Sequence, residues 1–236
     1  MSPAPVALSV VLPAFNEEVL LDGCVRQLHG ALAALRVSAE IIIVNDGSRD
    51  RTREIADRLA RDLPGVIAVH QQNQGIGGAF RTGVERATGE YLILWPADMP
   101  AEPADLAPYT AQFGQADVIV GVRQQRLGYN PLMRFNAWLY PKLVATLFGL
   151  RLRDVNWIHA YRRELFTRIT LTQRGIPMLV EALVRLRDLG ATFVEVDVAM
   201  KVRLGGVASA SRLKIMWRTL TGLLSFWKLW RQSRPA

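Results

Sequence analysis

The chain has 236 residues, half of them hydrophobic, which is enough to bury one large core and excludes a disordered polypeptide. The formal net charge of +8 indicates an anionic partner: nucleic acid, nucleotide or phospholipid phosphates, or an acidic membrane surface. Because Cys24 is the one cysteine, an intrachain disulfide and a thiolate metal site are excluded, and we expect this residue to pack in the core.

The first residues contain no basic segment followed by an apolar stretch and a cleavage site, so no signal peptide is predicted. Arg218 and Lys228 interrupt the most hydrophobic region, and no stretch reaches the ~18 apolar residues that a membrane-spanning helix needs. We therefore expect a cytoplasmic protein. Attachment to the surface of a membrane stays compatible with this expectation.

Strands and helices alternate through the first half of the sequence. The predicted strands are 6–13, 40–44, 66–70, 91–95 and 118–122, and the predicted helices between them are 16–35, 51–63 and 75–87. This alternation predicts an α/β fold with a mostly parallel sheet flanked by helices. In such a fold the functional site lies at the carboxyl ends of the strands, where the polar and glycine-containing loops of this chain occur.

The second half contains predicted helices at 131–148 and 178–189, a strand at 192–202, and a loop around Asp154. His159 is interpreted as a satisfied loop histidine, because no histidine or cysteine lies at metal-ligand spacing from it. We predict one domain over residues 1–210 and a separate segment over 211–236, with no linker between them.

The C-terminal segment, within residues 211–232, has the pattern of an amphipathic helix. Its apolar residues recur every three or four positions with basic residues between them: Leu213, Met216, Trp217, Leu220, Leu224, Trp227 and Trp230. Tryptophans on one side and cations around them are typical of a helix that lies in a membrane interface. The alternative is that this stripe packs on the protein's own body or on a partner.

Four segments follow the ends of predicted strands. They are Val11–Glu18 (VLPAFNEE), Asn45–Asp50 (NDGSRD), Gln72–Ala79 (QNQGIGGA) and Gly89–Tyr91 (GEY) leading into Pro96–Asp98 (PAD). In this order they resemble the polyprenyl-phosphate sugar transferases of glycosyltransferase family 2, a group that includes dolichol-phosphate mannose synthase. The likeness covers roughly residues 6–215. It implies a GT-A fold, which is Rossmann-like, and an inverting transfer of a sugar from a nucleotide donor.

The resemblance also implies a donor site. It assigns the base, ribose and diphosphate to the following residues: Pro13, Phe15, Glu17, Val44, Asp46, Ala97, Asp98 and Arg203. The alternative for Pro13 and Asp46 is that they only terminate strands. Similarly, the glycines of 75–78 form either a nest for phosphate or a flexible helix start.

The predicted metal site departs from the family pattern. The family presents Asp-x-Asp after the fourth strand to hold Mg²⁺ or Mn²⁺, but the first position here is Pro96 and only Asp98 remains. We expect a weakened metal site at Asp98. Two alternatives stay open: that arginines 123, 203 and 212 neutralise the diphosphate without metal, and that catalysis has been lost.

The acceptor side depends on cations. Arg123 and Arg134 correspond to arginines that hold the acceptor phosphate in the family, although either could be a solvated surface charge. A lipid phosphate is already an anion and needs no strong base, whereas a hydroxyl acceptor would need one, for which Glu181 is the candidate. Asp98, Arg123 and Glu181 are thus the predicted catalytic residues. Asp154 matches an aspartate of the family, but the resemblance gives it no defined role.

These interpretations lead to one main functional hypothesis: a transferase, peripheral on the inner face of the cell membrane, that moves a sugar from a nucleotide sugar to a polyprenyl phosphate or another lipid. Transfer to a soluble hydroxyl acceptor and a catalytically silent nucleotide-sugar or lipid-binding protein are the alternatives. A nucleic-acid partner is not expected, because the basic residues form no recognition module. The sugar, the base, the lipid and the oligomeric state stay open.

Overall fold

A computed structural model of the protein describes residues 6–98, 102–124, 129–173, 175–199 and 213–233. The strands of this part of the chain are β1 (Leu8–Ala14), β2 (Ala39–Asp46), β3 (Val66–Gln71), β4 (Tyr91–Leu94), β5 (Val118–Arg123), β6 (His159–Arg162) and β7 (Phe193–Val198). The helices are α1 (Leu21–Ala34), α2 (Thr52–Asp62), α3 (Gly75–Arg86), α4 (Pro103–Thr110), α5 (Pro131–Phe148), α6 (Arg163–Phe166), α7 (Pro177–Asp188) and α8 (Leu213–Gln232).

The strands form one sheet in the order β3-β2-β1-β4-β6-β5-β7. Neighbouring strands from β3 to β4 are parallel, and so are β5 and β7, whereas β6 is antiparallel to both β4 and β5. Because two antiparallel steps restore the direction, β5 and β7 run the same way as β4. The predicted α/β fold with a mostly parallel sheet is confirmed, and every strand except β6 ends at the same edge.

Helices cover the sheet on both faces. The apolar side chains of α1, α2 and α4 pack on one face, and those of α3, α5, α6, α7 and α8 pack on the other. This explains why β1 and β2 are almost continuously hydrophobic, since alternate residues of a doubly covered strand point into two different cores. In β1, for example, Val10 belongs to the first core and Val11 to the second.

Four elements differ from the predictions. Helix α1 begins at Leu21 rather than at Asn16, because Asn16 has a left-handed φ of 57° and the backbone that follows it is bonded to another loop. Strand β6 and the short helices α4 and α6 were not predicted. Strand β6 has only four residues, and a buried histidine and an arginine at its two ends hide it from hydrophobicity patterns.

Helix α8 packs against the body of the protein through one face. Leu223 and Phe226 are fully buried, and the indole N–H groups of Trp227 and Trp230 donate to the Leu147 carbonyl (3.0 Å) and to Asp188 (2.6 Å). The buried face of α8 therefore does not coincide with the predicted apolar stripe. Trp227 and Trp230 of that stripe lie on the side of the helix that faces the body of the protein. The predicted boundary at residue 210 lies outside the described residues.

His159 is a buried histidine in strand β6 rather than a loop histidine. Neither ring nitrogen has a hydrogen-bond partner among the described residues. Burial lowers the pKa of His159 from its usual 6.5 to about 4, although the charge of Asp154 opposes this shift. The native state therefore resists protonation of a group that the unfolded chain protonates readily.

This histidine makes the stability of the protein depend on pH. Between pH 6.5 and 4 the unfolded state binds a proton that the native state excludes, so the free energy of unfolding should fall by about 3 kcal/mol as the pH drops through this window. Urea denaturation at a series of pH values measures this. His159→Asn should flatten the profile in the window, whereas His29→Asn, at a partly exposed position, should leave it as in the wild type. Equal profiles for the wild type and His159→Asn would contradict the assignment.

Candidate active site

The carboxyl ends of β2, β1 and β4 lie side by side, because these strands are adjacent and parallel. Each is followed by one of the polar segments singled out in the sequence. The loop after β1 is bonded to the loop after β2 through three successive backbone amides: Asn16 to Ser48 Oγ (3.0 Å), Glu17 to Thr52 Oγ1 (2.8 Å) and Glu18 to Asp50 (3.2 Å). Phe15, 46% exposed, is thereby held at the surface of this edge.

Asp46 is engaged within the protein. Its Oδ1 accepts hydrogen bonds from Gln71 Nε2 (2.6 Å) and the Gln74 amide (2.8 Å), and its Oδ2 accepts one from the Gly75 amide (2.8 Å). Asp46 therefore occupies the N-terminus of α3, where an anion is stabilised by the unpaired amides and the helix dipole. The same arrangement favours a helix start over a free phosphate nest for the glycines of 75–78.

The other predicted donor residues differ in accessibility. Val44 and Ala97 are buried, Pro13 is partly buried, and Glu17 and Asp98 are partly exposed. Glu17 and Asp98 lie close enough to act on the same buried group, the thiol of Cys24. Burial raises the pKa of Cys24 to about 12, and the charges of Asp98 and Glu17 contribute to this shift. The loops after β1 and β4 thus each carry a carboxylate whose charge acts on Cys24.

This edge of the sheet offers a candidate carboxylate ligand, Asp98, for a divalent cation. Among the described residues no group of three acidic, histidine or cysteine side chains is placed to hold a metal ion. Asp98 is partly exposed, and a carboxylate with an open side suits Mg²⁺, which keeps several waters and often takes one or two protein carboxylates together with substrate phosphates.

Arg123, at the end of β5, lies at the same edge of the sheet but is not open to solvent. Its side chain is 7% exposed and forms a bidentate ion pair with the buried Asp154 (2.7 and 2.9 Å). It also donates to the carbonyl of Asn156 (3.1 Å) and lies over the ring of Trp157, 4.7 Å from its centroid. Burial raises the pKa of Asp154, but the hydrogen bonds and charge of Arg123 outweigh it, so the pKa is lowered.

A second residue connects Arg123 with Arg134. The hydroxyl of Tyr129 accepts a hydrogen bond from Arg123 Nη1 (2.7 Å), and its carbonyl accepts one from Nε of the exposed Arg134 (3.3 Å). Asn130 caps helix α5 by accepting from the Met133 amide (2.8 Å), which fixes the direction of the chain at Tyr129. The two predicted phosphate-binding arginines therefore contact the same residue, Arg123 at its hydroxyl and Arg134 at its backbone carbonyl.

A cavity of about 470 Å³ opens beside this group, between α5 and α8. Its walls are mainly apolar and come largely from both helices. Its polar lining residues are Arg123, Tyr129, Asn136, Tyr140, Asp154, Asn156 and Thr219. Asn136 of α5 contacts the sulfur of Met216 of α8 (3.3 Å) across it. The cavity thus combines a long apolar wall with one charged end.

Glu181 is separate from the residues above. It is fully buried in α7, and its carboxylate accepts hydrogen bonds from the Thr172 and Gln173 amides, from the Thr172 hydroxyl and from Arg185 (all 2.8–2.9 Å). These contacts hold the loop before α7. Arg203 and Arg212 lie outside the described residues, so the structure does not place them.

The chain belongs to glycosyl transferase family 2, whose family model matches residues 9–170. It is similar to the undecaprenyl-phosphate 4-deoxy-4-formamido-L-arabinose transferase of Pseudomonas aeruginosa, with 30% identity over 224 residues that cover 92% of this chain and 64% of that protein. The corresponding Pseudomonas fluorescens protein is 28% identical over 192 residues, covering 78% and 56%. The chain thus spans less than two thirds of the length of these relatives.

Solved structures share the fold. Glucosyl-3-phosphoglycerate synthase from Mycobacterium tuberculosis, in complex with Mn²⁺, UDP and glucosyl-3-phosphoglycerate, superposes with a TM-score of 0.70 at 20% identity, over 93% of this chain and 79% of that one. A complex of the same enzyme with Mg²⁺ and UDP gives 0.68 at 19% identity, over 93% and 78%. The predicted GT-A-like architecture is confirmed.

Sequence reasoning missed the Arg123–Asp154 pair and the role of Tyr129 beside it. The two charges are 31 residues apart, and no periodic pattern relates them. Asp154 was singled out without a partner, and Tyr129 was not singled out at all. An arginine ending a predicted strand and an aspartate in a polar loop were the available signals, but their pairing depends on the placement of β6.

The buried ion pair makes a stability prediction. In Arg123→Met the carboxylate of Asp154 loses its partner while it stays buried, and the free energy of unfolding should fall by about 3–5 kcal/mol. Chemical denaturation measures the loss. Arg153→Met, which removes exposed ion pairs to Glu195 and Asp197, is the matched control and should cost much less. The double variant Arg123→Met/Asp154→Leu should regain most of the loss, and equal losses for Arg123→Met and Arg153→Met would contradict the prediction.

Proposed function

We propose that the protein is an inverting glycosyltransferase that moves a sugar from a nucleotide-sugar donor to a polyprenyl phosphate or another lipid in a membrane. The observation that carries this proposal is the apolar cavity between α5 and α8, whose charged end lies at the same edge of the sheet as Asp98. One strand, β6, separates β4 from β5, so the ends of these strands are about 10 Å apart. The relatives named for undecaprenyl phosphate support a lipid-phosphate acceptor.

On the donor side, Phe15 offers an exposed ring for the base, and Glu17 and Asp98 border the position proposed for the ribose and diphosphate. Pro13, Val44, Asp46 and Ala97 shape this pocket from positions that are buried or bonded within the protein. A Mg²⁺ or Mn²⁺ ion held by Asp98 and the diphosphate would neutralise the charge on the leaving group. Mn²⁺ and Mg²⁺ in complexes of the Mycobacterium tuberculosis enzyme with UDP support this assignment.

On the acceptor side, the phosphate of a lipid approaches Arg123 and Arg134 while its chain lies along the apolar wall of the cavity. An acceptor oxygen attacks the anomeric carbon opposite the diphosphate, the new C–O bond forms as the old one breaks, and the configuration inverts. The acceptor is already an anion, so no base is needed. The burial of Glu181 and its bonds to Arg185 and residues 172–173 favour a role in holding that loop over a role as general base.

The proposed membrane contact is formed by α8 together with α5. Helix α5 exposes four large apolar side chains, Leu132, Phe135, Trp138 and Leu139. Helix α8 exposes three, Trp217, Leu224 and Leu229. Lys142 lies 3.7 Å from the ring centroid of Trp138, and exposed cations follow along α8. Aromatic and cationic side chains on one surface favour an anionic bilayer. Leu139 and Trp217 also line the cavity, which would open toward the lipid.

Within the described residues, none of the helices has the length and apolar character required to cross a bilayer. Contact through α5 and α8 would make the protein, as far as this chain extends, a peripheral one. We place this contact on the inner face of the cell membrane, where nucleotide sugars are available.

The transfer reaction is tested directly. Purified protein, a panel of radiolabelled nucleotide sugars and undecaprenyl phosphate in detergent should give label in the lipid phase with Mg²⁺ or Mn²⁺. Asp98→Ala should lower the rate about 100-fold or more, because it removes a ligand that stabilises the leaving diphosphate. Asp62→Ala, at a surface position of α2, is the matched control and should retain the wild-type rate. Label in a soluble product only would contradict the proposal and favour a soluble hydroxyl acceptor. Donor binding with no product would favour a catalytically silent binding protein.

The membrane contact is tested with vesicles of phosphatidylethanolamine and phosphatidylglycerol. The double variant Phe135→Asp/Trp217→Asp should reduce the bound fraction about tenfold in a flotation assay, and high salt should weaken the binding of the wild type. Ile67→Asp replaces an exposed apolar residue on the edge strand β3 and should bind as the wild type does. Equal losses for both variants would count against a specific contact by α5 and α8.

A further inference from the structure

At the charged end of the cavity, the positive charge of Arg123 is largely neutralised by an ion pair. Both carboxylate oxygens of Asp154 bind Arg123, and the two charges compensate each other at a distance of 2.7–2.9 Å. Asn156 takes a further hydrogen bond from the same guanidinium. An anion that enters the cavity therefore gains little net attraction from Arg123 and depends on other donors.

Tyr129 is the cavity residue that Arg123 contacts outside the 154–157 loop. Its hydroxyl accepts from Arg123 Nη1 at 2.7 Å and keeps its own hydrogen, for which the described part of the chain provides no acceptor. A hydroxyl that accepts from a cation is polarised and becomes a stronger donor. The bond from Arg123 also fixes the position of the oxygen in the cavity lining.

Arg134 adds a cation on the other side of Tyr129. Its Nε donates to the Tyr129 carbonyl at 3.3 Å, and its side chain is exposed rather than paired with a carboxylate among the described residues. The guanidinium of Arg134 is therefore held at the backbone of the residue whose hydroxyl contacts Arg123, and it keeps its charge. A polarised donor and an uncompensated cation together suit a phosphate group.

We propose that the hydroxyl of Tyr129 donates a hydrogen bond to the anionic head group of the lipid that enters the cavity, with Arg134 as its counter-ion. Arg123 is then a positioning residue, which orients and polarises Tyr129. Tyr129 discriminates a lipid phosphate from the corresponding alcohol, because an uncharged hydroxyl gains less from a polarised donor and from the cation. This inference rests on the proposed function only in taking a lipid phosphate as the ligand.

The other tyrosine of the cavity lining, Tyr140, does not share these features. Its hydroxyl is buried with no hydrogen-bond partner among the described residues, and burial alone raises its pKa. No charged group contributes to that shift, so no cation polarises this hydroxyl. The geometry therefore favours Tyr129 over Tyr140 as the contact for an anion.

The test compares the binding of farnesyl phosphate and farnesol by the complete chain, measured through tryptophan fluorescence. The wild type should bind the phosphate more tightly. Tyr129→Phe should weaken the binding of farnesyl phosphate about 10- to 100-fold and leave that of farnesol unchanged, as expected for the loss of a hydrogen bond to a charged group. Tyr161→Phe removes a buried hydroxyl outside the cavity lining and is the matched control, with wild-type affinity for both ligands.

The ratio of the two affinities decides the result, because a general loss of structure in Tyr129→Phe would lower both. An unchanged ratio in Tyr129→Phe, or a wild type that does not prefer the phosphate, overturns the inference. In the transfer assay, Tyr129→Phe should raise the KM for the acceptor and leave the KM for the donor unchanged. Selective binding that is lost in Tyr129→Phe, by a wild type that transfers no sugar, would refute the proposed function while supporting the role of Tyr129.

Discussion

The antiparallel strand β6 sets the geometry on which the candidate site depends. It lies between β4, whose loop contains Asp98, and β5, which ends at Arg123, and so separates the two halves of the site by two strand spacings. In the proposed function, a gap of this size would accommodate a sugar between a leaving diphosphate and an attacking phosphate. The strand is short, and it buries polar groups of His159 and Tyr161 that have no hydrogen-bond partner in the part of the chain that the structure describes. Buried polar groups without partners cost stability, which the surrounding core must offset.

Basic residues serve different purposes in different parts of the protein. Arg123 is buried and neutralised by Asp154, whereas Arg162 bridges β6 to Asp117 and Glu90 at a partly exposed position. The cations along α5 and α8 stay exposed beside aromatic rings. The net charge of +8 is thus no measure of the charge at the site. Local pairing decides what an entering anion meets, while the exposed cations act on larger anionic surfaces.

The two covered faces of the sheet also differ in character. On the side of α1 and α2, the surface carries ion pairs that join Asp22 to Arg26 and Arg58. On the opposite side, α5 exposes phenylalanine, tryptophan and leucine, and α8 adds Trp217 at 67% exposure. An aqueous face and an apolar face around a cavity mouth are the arrangement expected for the proposed function, in which one substrate comes from solution and the other from a bilayer. The family membership and the apolar cavity are independent observations in support of that proposal.

The sequence by itself determined the family, the parallel α/β core and the segments at the strand ends, because continuous β-branched runs and strand-end loops are local patterns. Tertiary structure decided which of those residues are accessible. Asp46 is a helix-capping anion, Glu181 a buried loop anchor and Arg123 half of an ion pair, since each of them has partners outside its own element. The cavity and Tyr129 could not be predicted, because both depend on how α5 and α8 pack beside β6, and that packing brings together residues that no sequence period relates.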